Sequence, residues 1–410
     1  MAIINSQFLK TVSEEVQSQI DKRVNQFRAV HRDVKLIRLD NDDVVRPLAP
    51  CIMEAMKGAI TEMGDEATFK GRGPIEGYPF LIDTIIKHNL KSHKVKIDAD
   101  EIFINHGTKE DLASIGDILC HDNRIAVMDP VLQDYVDSNV VNNRAGDMNE
   151  KRQWSHIIYL DCKKENDFMP EFPKLRSDIV YLSYPNNPTG CVMTREALEK
   201  WVHYAIENDV LILFDATYQS FISDPDIPQT IYEIKGAKKV AIEFRTFSKN
   251  AGFTGLHCGY TIIPKAISGY SFRVDKTVDL NSLWRRWQMI RNYTPSYVIQ
   301  KGAEALYSHD GLQWVAENVN YYMSNAAILR QALTEARLKF WGGVNSPYIW
   351  VESPYGSSMK LFDKLLKDCY ILSSPGERFG PRGKGFVRLS SFANQTKVII
   401  AGTRIAELQS

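Results

Sequence analysis

The sequence predicts an α/β protein, with a mostly parallel central sheet covered by helices on both faces and a smaller α+β C-terminal domain. Three observations carry this. Short apolar runs alternate with helical patterns from about residue 50 to 265, and such continuous runs suit strands buried on both faces. The 410 residues are enough for two domains and a large core. After about residue 285 the pattern shifts to a long helical region and then a mixed segment.

Residues 1–47 read as a polar helix, Glu14 to Phe27, and a connector ending in Arg46-Pro47. Residues 48–285 hold the strand candidates Glu101 to Asn105, Arg124 to Met128, Asp178 to Ser183, Val210 to Phe214, Val240 to Phe247 and Gly259 to Ile263. Helices are expected between them, over Lys109 to Leu119 and from Thr194 to Asn208. Residues 286–410 continue with a helical stretch, Pro295 to Leu338, and the strand candidates Tyr348 to Val351 and Phe386 to Leu389.

Composition excludes several function classes. Lys+Arg and Asp+Glu both total 50, so no basic surplus exists to neutralise nucleic-acid phosphates or an anionic membrane. Six scattered cysteines form no C-x-x-C pair, which argues against a zinc or redox motif and leaves no metal expected. No apolar run approaches the ~20 residues that span a bilayer. The start lacks a basic segment followed by a long apolar one, so a reducing, cytoplasmic setting is expected.

The chemistry concentrates at strand ends, where ligands bind in such sheets. Thr246-Phe-Ser-Lys-Asn-Ala251 places Lys249 just beyond a strand, between hydroxyls at Thr246 and Ser248. A lysine there can condense with an aldehyde, while hydroxyls and free N–H groups suit a phosphate. Pyridoxal 5'-phosphate carries both groups.

Asp215 ends another apolar strand, three residues before Tyr218. It reads either as a partner for a pyridine nitrogen or as a helix cap. Pro185-Asn-Asn-Pro-Thr-Gly190 is a turn by composition, with Asn187 able to donate to a phenolic oxygen. Asn105 to Lys109 joins a strand to a helix and offers N–H groups to a phosphate, although Lys109 also reads as a surface residue. Arg388, between apolar neighbours, either reaches to solvent or grips a carboxylate. Gly71 to Gly77 has one residue too many for a dinucleotide-binding glycine motif.

These pieces together resemble the fold-type I pyridoxal-phosphate aminotransferases, most closely the LL-diaminopimelate aminotransferase family of lysine biosynthesis. The resemblance covers nearly the whole chain. It is densest in residues 71–80, 184–190, 212–222, 243–255, 342–351 and 386–392. It implies a homodimer with shared active sites, the N-terminal arm packing on the small domain and the partner. It further implies amino transfer from an amino acid to a 2-oxo acid, with Lys249 as Schiff-base lysine and proton shuttle. Asp215 would pair with the pyridine nitrogen, and Tyr218 and Asn187 would bind the phenolic oxygen. Thr108, Lys109, Thr246 and Ser248 would surround the phosphate. Arg388 would take the substrate carboxylate, and Asn292 would come from across the dimer interface.

The departures bear on substrate. The family has tyrosines where this chain has Arg72, near the phosphate, and Leu132, near the ring. It has an arginine at His257, a glycine at Asp42 and an N-terminal tyrosine at about Glu15. Arg72 could restore the phosphate charge lost at position 257. Glu15, Asp42 and Asp43 would bring negative charge towards substrate, and like charges ~4 Å apart repel by ~4 kcal/mol at an effective dielectric of ~20. A substrate shifted from LL-diaminopimelate towards a neutral or cationic amino acid is therefore expected. Two alternatives are another pyridoxal-phosphate reaction (elimination, decarboxylation or oxidation) and a non-catalytic relative.

Overall fold

The computed structural model describes residues 2–10, 13–150, 153–291 and 294–408, without the side chains of residues 13–15. Glu15 and Asn292 therefore lie outside the described residues as site candidates.

The main sheet has seven strands: β1 (Ile102–Asn105), β2 (Ile125–Asp129), β3 (Ile157–Asp161), β4 (Ile179–Ser183), β5 (Leu211–Asp215), β6 (Ala241–Thr246) and β7 (Gly259–Ile262). Their spatial order is β1-β7-β6-β5-β4-β2-β3. Only β7 is antiparallel to its neighbours, β6 and β1. The other six strands hence point their carboxyl ends at one edge. Every residue of β2 and β4 is buried, as a sheet covered on both faces demands.

Strand β3 was not anticipated from the sequence. Its residues Ile158, Tyr159 and Asp161 are only half-buried, because it is an edge strand and carries a weaker apolar signal. A hairpin of Ser268–Ser271 with Lys276–Asp279 was likewise missed, since it is largely exposed and polar.

The helix over Arg195–Glu207 starts where Thr194 accepts a hydrogen bond from the Ala197 N–H at 3.2 Å, a side-chain cap for an otherwise unpaired donor. Its inner face buries Leu198, Trp201, Val202 and Ala205. The expected helix from Lys109 runs instead over Thr108–Ser114 and tightens to a 3-10 turn, Ile115–Ile118. The long helical region is two helices, Tyr297–Ala305 and His309–Glu335, with Ser308 capping the second.

A second, antiparallel sheet comprises β8 (Phe340–Gly342), β9 (Tyr348–Glu352), β10 (Ser374–Pro375) and β11 (Phe386–Ser390), in the order β8-β9-β11-β10. Its core includes Leu329, Leu333, Leu361, Leu389 and Val398. Ile20, Val24 and Phe27 of the first long helix pack against Phe362, Leu366 and Leu372 nearby. The core of the main sheet, however, also takes in Trp284, Trp287, Ala303 and Leu306, so its packing continues past residue 285. The turn carrying Asn187 docks tightly on the second sheet: a Cβ at Gly190, at φ +70°, would lie 2.8 Å from the Tyr348 carbonyl oxygen. Only glycine suits that approach.

One buried ion pair supports the strand that leads to Lys249. Arg245 donates from Nε to Glu243 Oε1 at 2.5 Å and from an Nη to the Gln229 carbonyl at 2.6 Å. Glu243 also accepts from the Thr230 hydroxyl at 2.6 Å. Removing one member leaves an uncompensated buried charge, which typically costs about 3–5 kcal/mol. Arg245→Leu should therefore lower the unfolding midpoint strongly in a thermal melt, and more than Glu243→Gln, which keeps hydrogen-bonding atoms.

Candidate active site

The carboxyl ends of β1, β4, β5 and β6 bring together Thr108, Asn187, Asp215 and Lys249. Asp215, the last residue of β5, is buried. It accepts from the Thr217 N–H at 2.9 Å and from the Tyr135 hydroxyl. Both partners are neutral. Burial pushes the Asp215 carboxyl up, and its hydrogen bonds with Thr217 and Tyr135 only partly oppose this.

Lys249 sits in the short helix Ser248–Ala251 that follows β6. Its amine donates to the Asp42 carbonyl and lies 6.0 Å from the centre of the Phe392 ring. Burial lowers its pKa, with Asp42 and Asp43 opposing and Arg388 adding to the effect. A lowered pKa makes the amine a better nucleophile and base near neutrality.

Arg388, on β11, is fully buried. Its Nη1 meets Asp42 Oδ1 at 2.6 Å and Asn187 Oδ1 at 2.8 Å. Nη2 donates to the Asp40 carbonyl at 2.8 Å. The guanidinium lies 4.6 Å from the Tyr348 ring and 4.9 Å from that of Phe379. Burial alone would lower the Arg388 pKa, but the Asp42 carboxylate outweighs it and raises it. Burial alone would likewise raise Asp42, yet Arg388 and the Tyr348 hydroxyl hold it below its usual value.

The same atoms close a ring of hydrogen bonds. Tyr348 donates to Asp42 at 2.8 Å, and its hydroxyl is 2.7 Å from that of Tyr218. Having one proton, already given to Asp42, Tyr348 receives the proton of Tyr218. Asn187 Nδ2 reaches Tyr218 at 3.4 Å, while its Oδ1 returns to Arg388. Asp42 thus lies against Arg388, at the carboxylate end of the site, whereas the sequence placed its charge only generally towards substrate.

The remaining candidates scatter more. The Thr108 hydroxyl accepts from that of Thr217 at 2.9 Å, and the Thr246 and Ser248 hydroxyls lie 3.0 Å apart. Lys109 is 79% exposed and pairs with Asp134 at 2.9 Å, so it turns away from the strand ends. Leu132 is half-buried against the main core. His257 is exposed at φ +55°. Arg72 lines a cavity of about 380 Å³ with Pro74, Gln288, Thr294 and Tyr297, a set without His257. No group of His, Cys, Asp and Glu able to hold a metal occurs among the described residues.

Tyr135, Tyr348, Phe392 and Thr217 were missed by sequence reasoning. Tyr135 falls in the DPVLQDY segment beside Leu132, and its role shows only in the contact with Asp215.

Fold and site together define a member of a known enzyme class. Residues 35–400 match the family Aminotransferase class I and II, and the chain belongs to it. The chain is 49% identical over 406 residues to an LL-diaminopimelate aminotransferase of Parabacteroides distasonis, covering 99% of both. It is 47% identical over 407 residues to that of Bacteroides thetaiotaomicron, again covering 99% of both. Among solved structures, the L,L-diaminopimelate aminotransferase from Chlamydomonas reinhardtii superposes with a TM-score of 0.89 at 34% identity, covering 98% of each chain. A Thermus thermophilus aspartate aminotransferase mutant, at 17% identity and a TM-score of 0.82 over 99% of each chain, shares the fold. The chain is an aminotransferase.

Asp111, which braces the helix carrying Thr108, gives the site a pH dependence. It is buried, accepts from Asn105 Nδ2 at 2.6 Å, and burial pushes its carboxyl up to about 7. The folded form therefore binds a proton that the unfolded chain, titrating near 4, has lost. Its stabilising contribution is complete below about pH 4 and is lost as pH rises towards 7. In melts at a series of pH values, Asp111→Asn should flatten the fall in unfolding midpoint between pH 5 and 7.

Proposed function

We propose that this aminotransferase works with pyridoxal 5'-phosphate, and that its amino donor has a neutral or cationic side chain in preference to a second carboxylate. The observation that carries the cofactor reading is a pair of groups at adjacent strand ends, both driven towards neutrality by burial: the acid Asp215 upwards and the amine Lys249 downwards. A buried carboxylate bonded only to neutral donors fits a ring nitrogen that carries a proton. The hydroxyls of Thr108, Thr246 and Ser248 fit a phosphate. When bound, the cofactor supplies an aldehyde that condenses with amines and a ring that accepts electrons released at the substrate Cα.

This chain's residues do the rest. Asp215 holds the proton on the ring nitrogen. Asn187 would donate to the ring's phenolic oxygen, and Tyr218, held beside Tyr348, would turn its proton from Tyr348 to the same atom. Lys249, its pKa lowered by burial, would take the proton from the substrate Cα and return it at the carbon that carries the cofactor's aldehyde. Arg388 orients the donor through its α-carboxylate. Leu132 offers an apolar wall in place of a hydrogen-bonding one. Lys109 has no part in holding the phosphate in this reading, and Arg72 of the partner subunit reaches it, in place of the charge missing at His257.

The substrate reading rests on Asp42 and Asp43, whose charges both act on Lys249. Carboxylates whose fields reach the amine favour a cation and oppose a second anion. The reading also makes the protein a cytoplasmic homodimer. All six cysteines are free, and no helix among the described residues is long and apolar enough to cross a membrane. Met289, which lines the cavity that holds Arg72, is 63% exposed, and the residues next in sequence to lining residues Lys70 and Met289, Phe69 and Ile290, are 60% and 73% exposed. Exposed apolar side chains of this size suit a protein interface.

Protein loaded with pyridoxal phosphate, with pyruvate or 2-oxoglutarate as acceptor, should turn over lysine or neutral amino acids faster than LL-diaminopimelate. Fast turnover of LL-diaminopimelate alone sinks the substrate reading. Lys249→Ala should cut kcat at least about 100-fold. By light scattering the wild type should have the mass of two chains, and Met289→Asp with Ile290→Asp should yield single chains with reduced activity; a monomeric, fully active wild type refutes the shared site.

A further inference from the structure

The geometry points to Asp42 as a built-in competitor for the substrate's carboxylate, a specificity-determining residue whose role rests on Arg388 being the carboxylate anchor. A guanidinium grips a carboxylate best through two parallel N–H···O bonds. Here the fork of Arg388 is already taken, by Asp42 Oδ1 on Nη1 and by the Asp40 carbonyl on Nη2. Any amino acid reaching for Arg388 meets a carboxylate in its place.

The hold is incomplete in a way that permits exchange. Asp42 uses a single oxygen on Arg388, and that oxygen also accepts from Tyr348. Arg388 Nε is buried with no acceptor. A free carboxylate binding with both oxygens would therefore match the fork better than Asp42 does. The two partners also differ in their access to water. The side chain of Asp42 is 41% exposed and that of Arg388 is 0% exposed, so a displaced Asp42 can be hydrated at once whereas Arg388 cannot be left unpaired without cost.

The backbone around Asp42 is built for such a move. Leu39 is tied down on both sides, its N–H to the Leu372 carbonyl at 2.9 Å and its carbonyl to the Ser390 N–H at 2.7 Å. Further on, the N–H groups of Val45 and Arg46 donate to the Tyr322 hydroxyl at 2.9 and 3.1 Å, and Arg46 lies over the rings of Trp314 and Tyr321. Between these anchors residues 40–44 belong to no helix or strand. The Asp42 side chain can leave Arg388 by rotating about its own bonds, while Val44 keeps its packing on the aromatic cluster and the Asp42 carbonyl its bond from Lys249. Tethered at both ends it stays beside the pocket, where its charge opposes a second anion on the substrate.

Two consequences follow. The apparent affinity for an α-carboxylate is reduced by the fraction of enzyme in which Asp42 sits on Arg388. Selection then favours ligands that present one well-oriented carboxylate and no second anion near Asp42.

The test is calorimetric titration of the cofactor-loaded enzyme with hexanoate, a monocarboxylate with no amino group to react. Asp42→Asn keeps the shape and removes the charge; it should tighten hexanoate about tenfold or more, the size of one charge-assisted hydrogen bond. Asp42→Gly, which removes the side chain altogether, should act in the same direction. With an amino-acid donor, Asp42→Asn should also lower KM, as expected for easier binding of the donor carboxylate. Unchanged or weaker hexanoate binding in both variants, with melts showing them folded, overturns the proposal. Arg388→Gln separates the two readings. If it leaves wild-type hexanoate binding intact, the anchor itself is misassigned. If it abolishes binding while neither Asp42 variant tightens it, the anchor stands and only the competitor role falls.

Discussion

A fully buried guanidinium, Arg388, is the constraint around which the rest of the site is arranged. It sits on the second sheet yet reaches the strand-end loop of the first through Asn187, and the N-terminal segment through Asp40 and Asp42. Leaving such a group without partners would cost several kcal/mol, so three stretches of chain far apart in sequence must converge on it. The docking of Gly190 against Tyr348 serves the same convergence from the backbone side. The geometry at Asn187 and Tyr218 is thus set as much by the small sheet as by the large one.

Tyr348 extends this control to the reacting end. By holding Asp42 and Tyr218 together it links the carboxylate end of the pocket to the group expected beside the ring oxygen. The surrounding rings of Tyr218, Phe221, Tyr322, Tyr348 and Phe392 form one apolar cluster. Within it a hydrogen bond is stronger than in water and an unmet one more costly. A ring of bonds in which the phenol protons have one consistent direction is therefore stiff, and stiffness is what positions a reacting atom.

Much of this was legible in the sequence, for physical reasons. Strands β1, β2, β4 and β5 are buried on both faces and appear as apolar runs. Strand β6 is buried as well but carries the Glu243–Arg245 pair within it, and Asp215 and Lys249 stand out because each lies at or just beyond the end of such a strand. The edge strand β3 and the exposed hairpin at 268–279 lack that burial and left no comparable trace. Asp42 and Tyr348 are 306 residues apart, and no local pattern encodes a contact of that range. Lys109 shows the opposite failure. Its place at a helix start suggested a phosphate ligand, but a lysine is satisfied equally well at the surface, and Asp134 on the neighbouring helix holds it there. The resemblance identified Asp42 as unusual but could not show that it would fall on Arg388.

Charge accounting ties these parts together. In the protein alone, burial moves Asp215 and Lys249 in opposite directions on the pH scale but to the same end, since it penalises the charged form of each. Arg388 and Asp42 behave otherwise, because each stabilises the other's charge more than burial penalises it. The pocket therefore holds one neutralised ion pair and two groups inclined to be neutral. A protonated ring nitrogen beside Asp215 would reverse the first of these shifts, since a cation in contact favours the carboxylate. A carboxylate arriving at Arg388 would leave Asp42 in excess by one negative charge, and of the two partners only Asp42 has a route to water. The depth of burial, complete at Arg388 and partial at Asp42, thus decides that Asp42 is the partner that yields when substrate binds.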